Sequence, residues 1–427
     1  MANLEFKCPC CGGTLQFDNK TQDIVCPYCD SHFTAEDMKQ YTDDLASDKV
    51  EDTSWDESAV EAFTGKESKG MKIYSCDSCG GEIIVDETTS SATCPYCGNN
   101  LVVAKELSGD LKPNVVIPFK NDKGVVQENL KKFFRKKPLL PSSFSKENVI
   151  EEIKPLYVPF WLFDADVDGK VRFKGEKTRT YSDSNYNYKE VKHYSIVREG
   201  RIAFDRVPVD GSKKMEDKLM ESIEPFDFNE AKEFNVAYLA GFAADRYDVS
   251  KNETFARATT RVREGTIEAF QNDISGYDNV SVDDSNLQLK DTKAQYALYP
   301  VWILNTKWKE KSFRFAVNGQ SGKIAGNLPV SGLKFFLFYM LFFAIFLGIG
   351  IGIGAAVGSL VGGLIAGGIF GLFMSLIILL IMRRANKNVH FQIGASHYVR
   401  PNSLEITDRK EFYLYKTVTK TKRQNNN

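Results

Sequence analysis

The chain has 427 residues, a formal net charge of -1 and nine cysteines. That length suits two to four domains of about 150 residues each, and the balanced charge supplies no global attraction to nucleic acid. Residues 1–13, MANLEFKCPCCGG, lack the apolar run of a secretory signal, so none is expected.

All nine cysteines fall within the first 97 residues, and eight sit in CxxC pairs. In a reducing compartment such pairs read as metal ligands, not as a disulfide framework. The first set is Cys8, Cys11, Cys26 and Cys29, and the second is Cys76, Cys79, Cys94 and Cys97. A shift of 68 residues maps each ligand of one set onto the other, and also Gly12 and Gly13 onto Gly80 and Gly81. The module is therefore duplicated. Zinc takes four thiolates in a tetrahedron, and a glycine after the second cysteine permits the tight turn that aims amides at sulfur. Two structural Zn2+ ions are predicted, with iron in a rubredoxin-like site as the chemical competitor. Cys10, opposite Ser78, reads as a spare thiol, and His32 as a surface residue. Both modules are net acidic, and four thiolates add two further negative charges to each site. That favours protein over nucleic acid as their partner.

Residues 35–70 hold eleven acidic residues against four lysines and are expected to form a solvated spacer. The alternative is a short partner-binding helix over 55–63. An α+β domain is predicted over 112–330. Strands are expected near 156–163, 170–174, 191–197, 201–207 and 301–308, with turns at Asp168-Gly169, Glu199-Gly200 and Asp210-Gly211. Asn318-Gly319 marks a tight hairpin. Phe255, Ala258, Val262, Thr266, Phe270 and Ile274 recur at helical spacing, predicting a helix over 253–274. Residues 126–137 combine an apolar stripe with five cations, as in a helix on a membrane surface or on the domain itself. His193 stands alone, and Asp164, Asp166 and Asp168 read as a solvated strand edge. No P-loop, HExxH or GxSxG motif occurs, so no catalytic or cofactor-binding residues are assigned and the expectation is a non-enzyme.

The 48 residues 335–382 contain no charge. As one helix they would measure about 72 Å against a hydrocarbon core of about 30 Å, so two spans with a turn near 355–359 are predicted, at 333–354 and 360–382. Lys323 and Lys334 before them and Arg383, Arg384 and Lys387 after them place both termini in the cytoplasm. Glycines four apart, from Gly350 to Gly371, let the hairpin pack on itself or make a homo-oligomer. Residues 383–427 hold ten Lys and Arg against three acids and should lie on anionic lipid, with 411–416 strand-like.

The CPxCG and CPYC pairs, the phrase Tyr157-Val158-Pro159-Phe160-Trp161, the glycine-rich hairpin and the phrase Asp408-Arg409-Lys410-Glu411-Phe412-Tyr413-Leu414 together resemble the YdjG-type bacterial membrane zinc-ribbon proteins. These are often labelled TFIIB-type zinc ribbon or primosomal-protein-like. The resemblance implies a membrane-stress setting, with the phage-shock protein PspA and an SPFH-type scaffold as partners. The predicted chain is multidomain: zinc ribbon 1 (1–34), acidic linker (35–70), zinc ribbon 2 (71–106), cytosolic α+β domain (112–330), transmembrane helical hairpin (333–382) and basic cytoplasmic tail (383–427). The expected function is an inner-membrane adaptor that brings cytosolic proteins to the bilayer. The alternative is a membrane-tethered nucleic-acid-binding protein.

Overall fold

A computed structural model of the chain describes residues 8–9, 13–19, 21–28, 32–34, 38, 55–64, 67–68, 71–86, 93–107, 110–145, 152–308, 311–386, 389 and 394–423. Near the N-terminus, β1 (Gln16–Asp18), β2 (Asp23–Val25) and β3 (His32–Phe33) make a small sheet of their own. The second cysteine module carries β4 (Met71–Ser75), β5 (Glu82–Asp86) and β6 (Val102–Glu106). Then follow β7 (Val115–Val116), α1 (Lys123–Arg135), β8 (Lys154–Ser182), β9 (Tyr186–Asp210), α2 (Asp217–Ser222), β10 (Lys232–Glu233), β11 (Ala243–Asp245) and α3 (Lys251–Asn272). The chain continues through β12 (Asn279–Trp308), β13 (Lys311–Asn318), β14 (Ile324–Gly326), α4 (Gly332–Ala356), α5 (Leu360–Ala385) and β15 (Glu405–Lys422).

Twelve of these strands form one sheet, in the order β10-β7-β12-β8-β11-β5-β4-β6, with β9 and β15 added beside β8 and β13 and β14 beside β12. The long strand β8 organises it. Its segment 156–163 is buried throughout, and the period-two alternation of a strand divides these residues between two cores. Tyr157, Trp161 and Phe163 enter one core with Val262 and Phe270 of α3. Leu156, Val158, Phe160 and Leu162 enter the other, with Met215, Met220 and the buried side chains Tyr74, Cys76, Cys94 and Tyr96 of the second module. A strand apolar on both faces is one covered on both faces.

The helix expected over 253–274 is α3, capped by Ser250, whose hydroxyl accepts from Glu253 N. Ala258, Val262, Thr266 and Phe270 are buried as the spacing requires. α1 packs Val126, Leu130 and Phe134 into the domain. The Asn318-Gly319 hairpin joins β13 to β14, with Gly322 at φ +76°.

Four expectations change. The turns expected at Asp168-Gly169 and Glu199-Gly200 lie inside continuous strands, and Gly169 faces Gly200 across the β8–β9 ladder. These glycines serve close approach: a Cβ on Gly200 would lie 2.2 Å from Glu405 O, and one on Gly169 would lie 2.6 Å from the Leu287 side chain. The expected solvated spacer is, over residues 55–64, part of the domain. Trp55 and Phe63 are buried in its core, Trp55 packs edge-on to Phe163 at 4.7 Å, and its indole N–H donates to Thr259 Oγ1 at 3.2 Å. Few apolar residues lie in that segment, but two of them, Trp55 and Phe63, are large enough to fix it. The second cysteine module joins the sheet of the α+β region, because β5 pairs with β11 and β11 with β8. The basic tail supplies the 18-residue strand β15, paired with β9 from Arg201 to Tyr186.

α4 and α5 are both long and apolar enough to cross a membrane. They pack on each other through glycine: a Cβ on Gly350 would sit 2.4 Å from Gly367 Cα, and one on Gly354 would sit 2.6 Å from Gly363 Cα. Gly358 turns between them at φ +80°. Outward side chains such as Leu333, Phe336, Ile353, Val361 and Phe373 are more than half exposed. The hairpin's base is tied to the domain. Lys334 Nζ donates to Leu140 O at 2.6 Å, and Leu328 N donates to the carbonyl of buried Asn386 at 3.3 Å.

Candidate metal centre

The second module brings Cys76, Cys79, Cys94 and Cys97 together, with all four sulfurs within 4.8 Å of one another. The closest pairs are Cys76–Cys97 at 3.4 Å and Cys79–Cys94 at 3.6 Å. A tetrahedron with metal–sulfur bonds of about 2.3 Å has edges of about 3.8 Å, so the cage already has nearly the right size.

Two knuckles build it. Cys76 N donates to Gly81 O at 2.9 Å, and Cys94 N donates to Asn99 O at 2.7 Å. Gly80 and Gly98 take φ +68° and +80°, which a side chain would resist. Each knuckle then turns amides toward sulfur. Those of Ser78 and Cys79 reach Cys76, that of Gly81 reaches Cys79, and those of Tyr96 and Cys97 reach Cys94. Burial raises the Cys94 thiol well above its ordinary range and raises the Cys79 thiol too. Burial opposes the thiolate at Cys76 too, but the amides and the neighbouring Cys97 thiol outweigh it and bring Cys76 down to about 7. A cation suits such a set, because it compensates the thiolates where water cannot.

The rest of the sheet completes the shell. Lys214 donates to Cys79 O, Lys154 donates to Cys94 O at 3.3 Å and Asn305 donates to Pro95 O at 2.6 Å. The guanidinium of Arg314 lies 5.5 Å from the centre of the Tyr96 ring. Buried Asp245 bonds Ser212, and burial pushes its carboxyl up to about 7. Lys154, Lys214 and Arg314 bring positive charge toward a site that four thiolates make negative. None of these partners carries a signal in the sequence, since only the fold brings them to the cysteines. Four protein sulfurs leave no open position, which is the pattern of a structural metal, not a catalytic one.

Of the first set, Cys8 and Cys26 are buried, and Cys11 and Cys29, like the spare Cys10, lie outside the described residues. The parts that can be compared repeat the second module. Cys8 N donates to Gly13 O at 2.7 Å, as Cys76 does to Gly81, and the Tyr28 ring lies against Gly13 as Tyr96 lies against Gly81. The environments differ, however. Tyr96 is 5% exposed and Tyr28 76%, and Phe17 is 53% exposed where its counterpart Val85 is buried. The first module rests instead on β15, with Leu15, Phe33 and Met38 against Leu414. His32 is half exposed and lies 3.9 Å from Asp23. His193 stacks on Tyr415 at 4.4 Å. Asp166 and Asp168 pair with Arg400 and with Arg201 and Lys290.

No protein-family model matches the chain, and no solved structure matches it. Among curated proteins, it is 31% identical over 328 residues to "Uncharacterized protein YdjG" of Bacillus subtilis (strain 168), an alignment that covers 77% of this chain and 91% of that protein.

Proposed function

The chain belongs to the YdjG family, and from that premise we propose that it is a cell-membrane adaptor, with two helices in the bilayer, both termini cytoplasmic, and two structural zinc ions. The observation that carries this reading is an exposed apolar hairpin rooted directly in a domain that also holds a four-cysteine cluster. Side chains such as Leu333 and Phe373 are 71% and 65% exposed, a surface that water does not tolerate and lipid does. Lys334, Arg383 and Arg384 flank the hairpin at its base, which orients that base toward the cytoplasm.

The two ribbons divide the work. The second is a structural part of the sheet. The first turns Tyr28 and Phe17 outward and is the docking module for cytosolic partner proteins. No catalytic role is part of this reading. The test is recovery of co-purifying proteins from membranes with the hairpin intact, comparing wild type with Tyr28→Ala, Cys26→Ser and Cys94→Ser. Loss of the same partners in Tyr28→Ala and Cys26→Ser, with the thermal transition of the main domain retained, supports it. Full recovery in both removes the first ribbon from partner binding.

A further inference from the structure

Beyond the end of α3, the strands β8, β9 and β15 continue as a three-stranded arm, with Lys177 opposite Lys192, Tyr181 opposite Tyr188, and Lys416, Lys420 and Lys422 opposite Lys192, Tyr188 and Tyr186. Cross-strand partners share a face. One face therefore gathers six cations: Lys177, Arg179, Lys192, Lys416, Lys420 and Lys422. Every one of them is exposed. Against them stand Glu190, 4.0 Å from both Lys192 and Lys416, and Asp183, whose carboxylate accepts from the amides of Asn185 and Tyr186 and from Tyr188 Oη.

Tyrosines interleave with the cations. Tyr181 and Tyr188 stack at 5.0 Å, and Lys420 Nζ sits 3.8 Å from the centre of the Tyr186 ring. Arg179 lies over Tyr181 at 5.9 Å. The residues come from segments more than 220 positions apart, so the patch exists only in the fold. The acidic ribbons gave no such signal.

We propose that this face of the arm binds single-stranded nucleic acid, with the lysines on the phosphates and the tyrosine rings under the bases. A cationic sheet surface with aromatic rings is the chemistry that holds single strands. The bilayer is the weaker occupant for two reasons. The aliphatic side chain on this face is Val418 alone, leaving little to insert among acyl chains. The arm's tip also lies at the opposite end of β8 from the hairpin's base. Lys154 at the start of β8 pairs with Ile303, Ile303 with Ala316, and Ala316 with Ala325, shortly before α4. The 29 residues of β8 give about 90 Å of strand between those ends.

The experiment uses the full chain in phosphatidylcholine nanodiscs and a fluorescent oligo-dT of about 15 nucleotides, read by anisotropy across salt. The expected logarithmic salt slope is about -4, from six cations at about 0.7 each. Lys416→Gln/Lys420→Gln/Lys422→Gln should weaken binding roughly tenfold or more and reduce the slope by about 2. Tyr181→Ala/Tyr188→Ala should weaken the oligo-dT roughly tenfold yet leave an abasic strand of equal length unaffected. Lysine acylation footprinting should show these lysines protected by the oligonucleotide. No binding at low salt, binding undiminished in the lysine variant, or equal affinity for the abasic strand would overturn the proposal. So would protection of the same lysines by phosphatidylglycerol discs without oligonucleotide, which would assign the face to lipid.

Discussion

Two tyrosines at equivalent places in a duplicated module do different work here. Tyr96 is buried beneath Arg314, while Tyr28 is exposed. Removing a buried aromatic typically costs about 3 kcal/mol or more. Tyr96→Ala should therefore lower the thermal midpoint by several degrees, and Tyr28→Ala should leave it within a degree or so, as read by calorimetry. A second residue-scale prediction concerns the buried acids beside Arg257 and Arg261. Burial raises Glu221 to about 7 and Asp210 to about 6, against the pull of the arginines. A raised carboxyl pKa means the folded chain holds a proton that the unfolded chain has released. The stability this confers is full below about pH 4 and is lost as pH rises through about 6 to 7. Relative to Glu221→Gln, which cannot ionise, the wild-type melting temperature should drop by a few degrees between about pH 5 and about pH 8. A constant difference across that range would show that Glu221 is not held protonated.

At the scale of elements, glycine is the residue whose role the sequence leaves most ambiguous. Asp-Gly and Glu-Gly pairs signal turns, yet Gly169 and Gly200 sit in mid-strand because neighbouring chains pass too close for a Cβ. Gly200→Ala should loosen the start of β15 and speed hydrogen exchange at the Ile406–Arg409 amides, while Gly276→Ala, with open space around it but φ +79°, strains its own turn and spares β15. The hairpin glycines were readable as a close-packing pattern, but only the structure separates those in the seam from those outside it. Gly354→Leu should separate the helices and lower the yield of folded protein from membranes, whereas Gly348→Leu should be tolerated, since nothing lies within 4 Å of it. The helix α3 was legible because its apolar spacing is regular and its cap is local. The span 55–64 was misread because acidic composition masks two aromatics, Trp55 and Phe63, that decide its position.

Across the whole molecule, the cysteine spacing announced the four-sulfur cluster of the second module, and the uncharged block announced the pair of long apolar helices. What stayed hidden was how the parts join. The sheet runs from the second module through β11 to β8 and out to β15, linking residues hundreds of positions apart, and no local pattern encodes such pairings. One consequence is that a metal held by these cysteines should stabilise more than its own module. Chelation or Cys94→Ser should lower the melting temperature of the main domain, while Cys26→Ser should not, as followed by circular dichroism. The proposed adaptor enters and leaves the bilayer from the cytoplasmic side. Alkaline phosphatase, active only outside the cytoplasm, tests this when fused after Ser359 and, separately, after Asn427. Activity from the first fusion and silence from the second is the predicted result, and activity from the fusion after Asn427 would contradict the proposed topology.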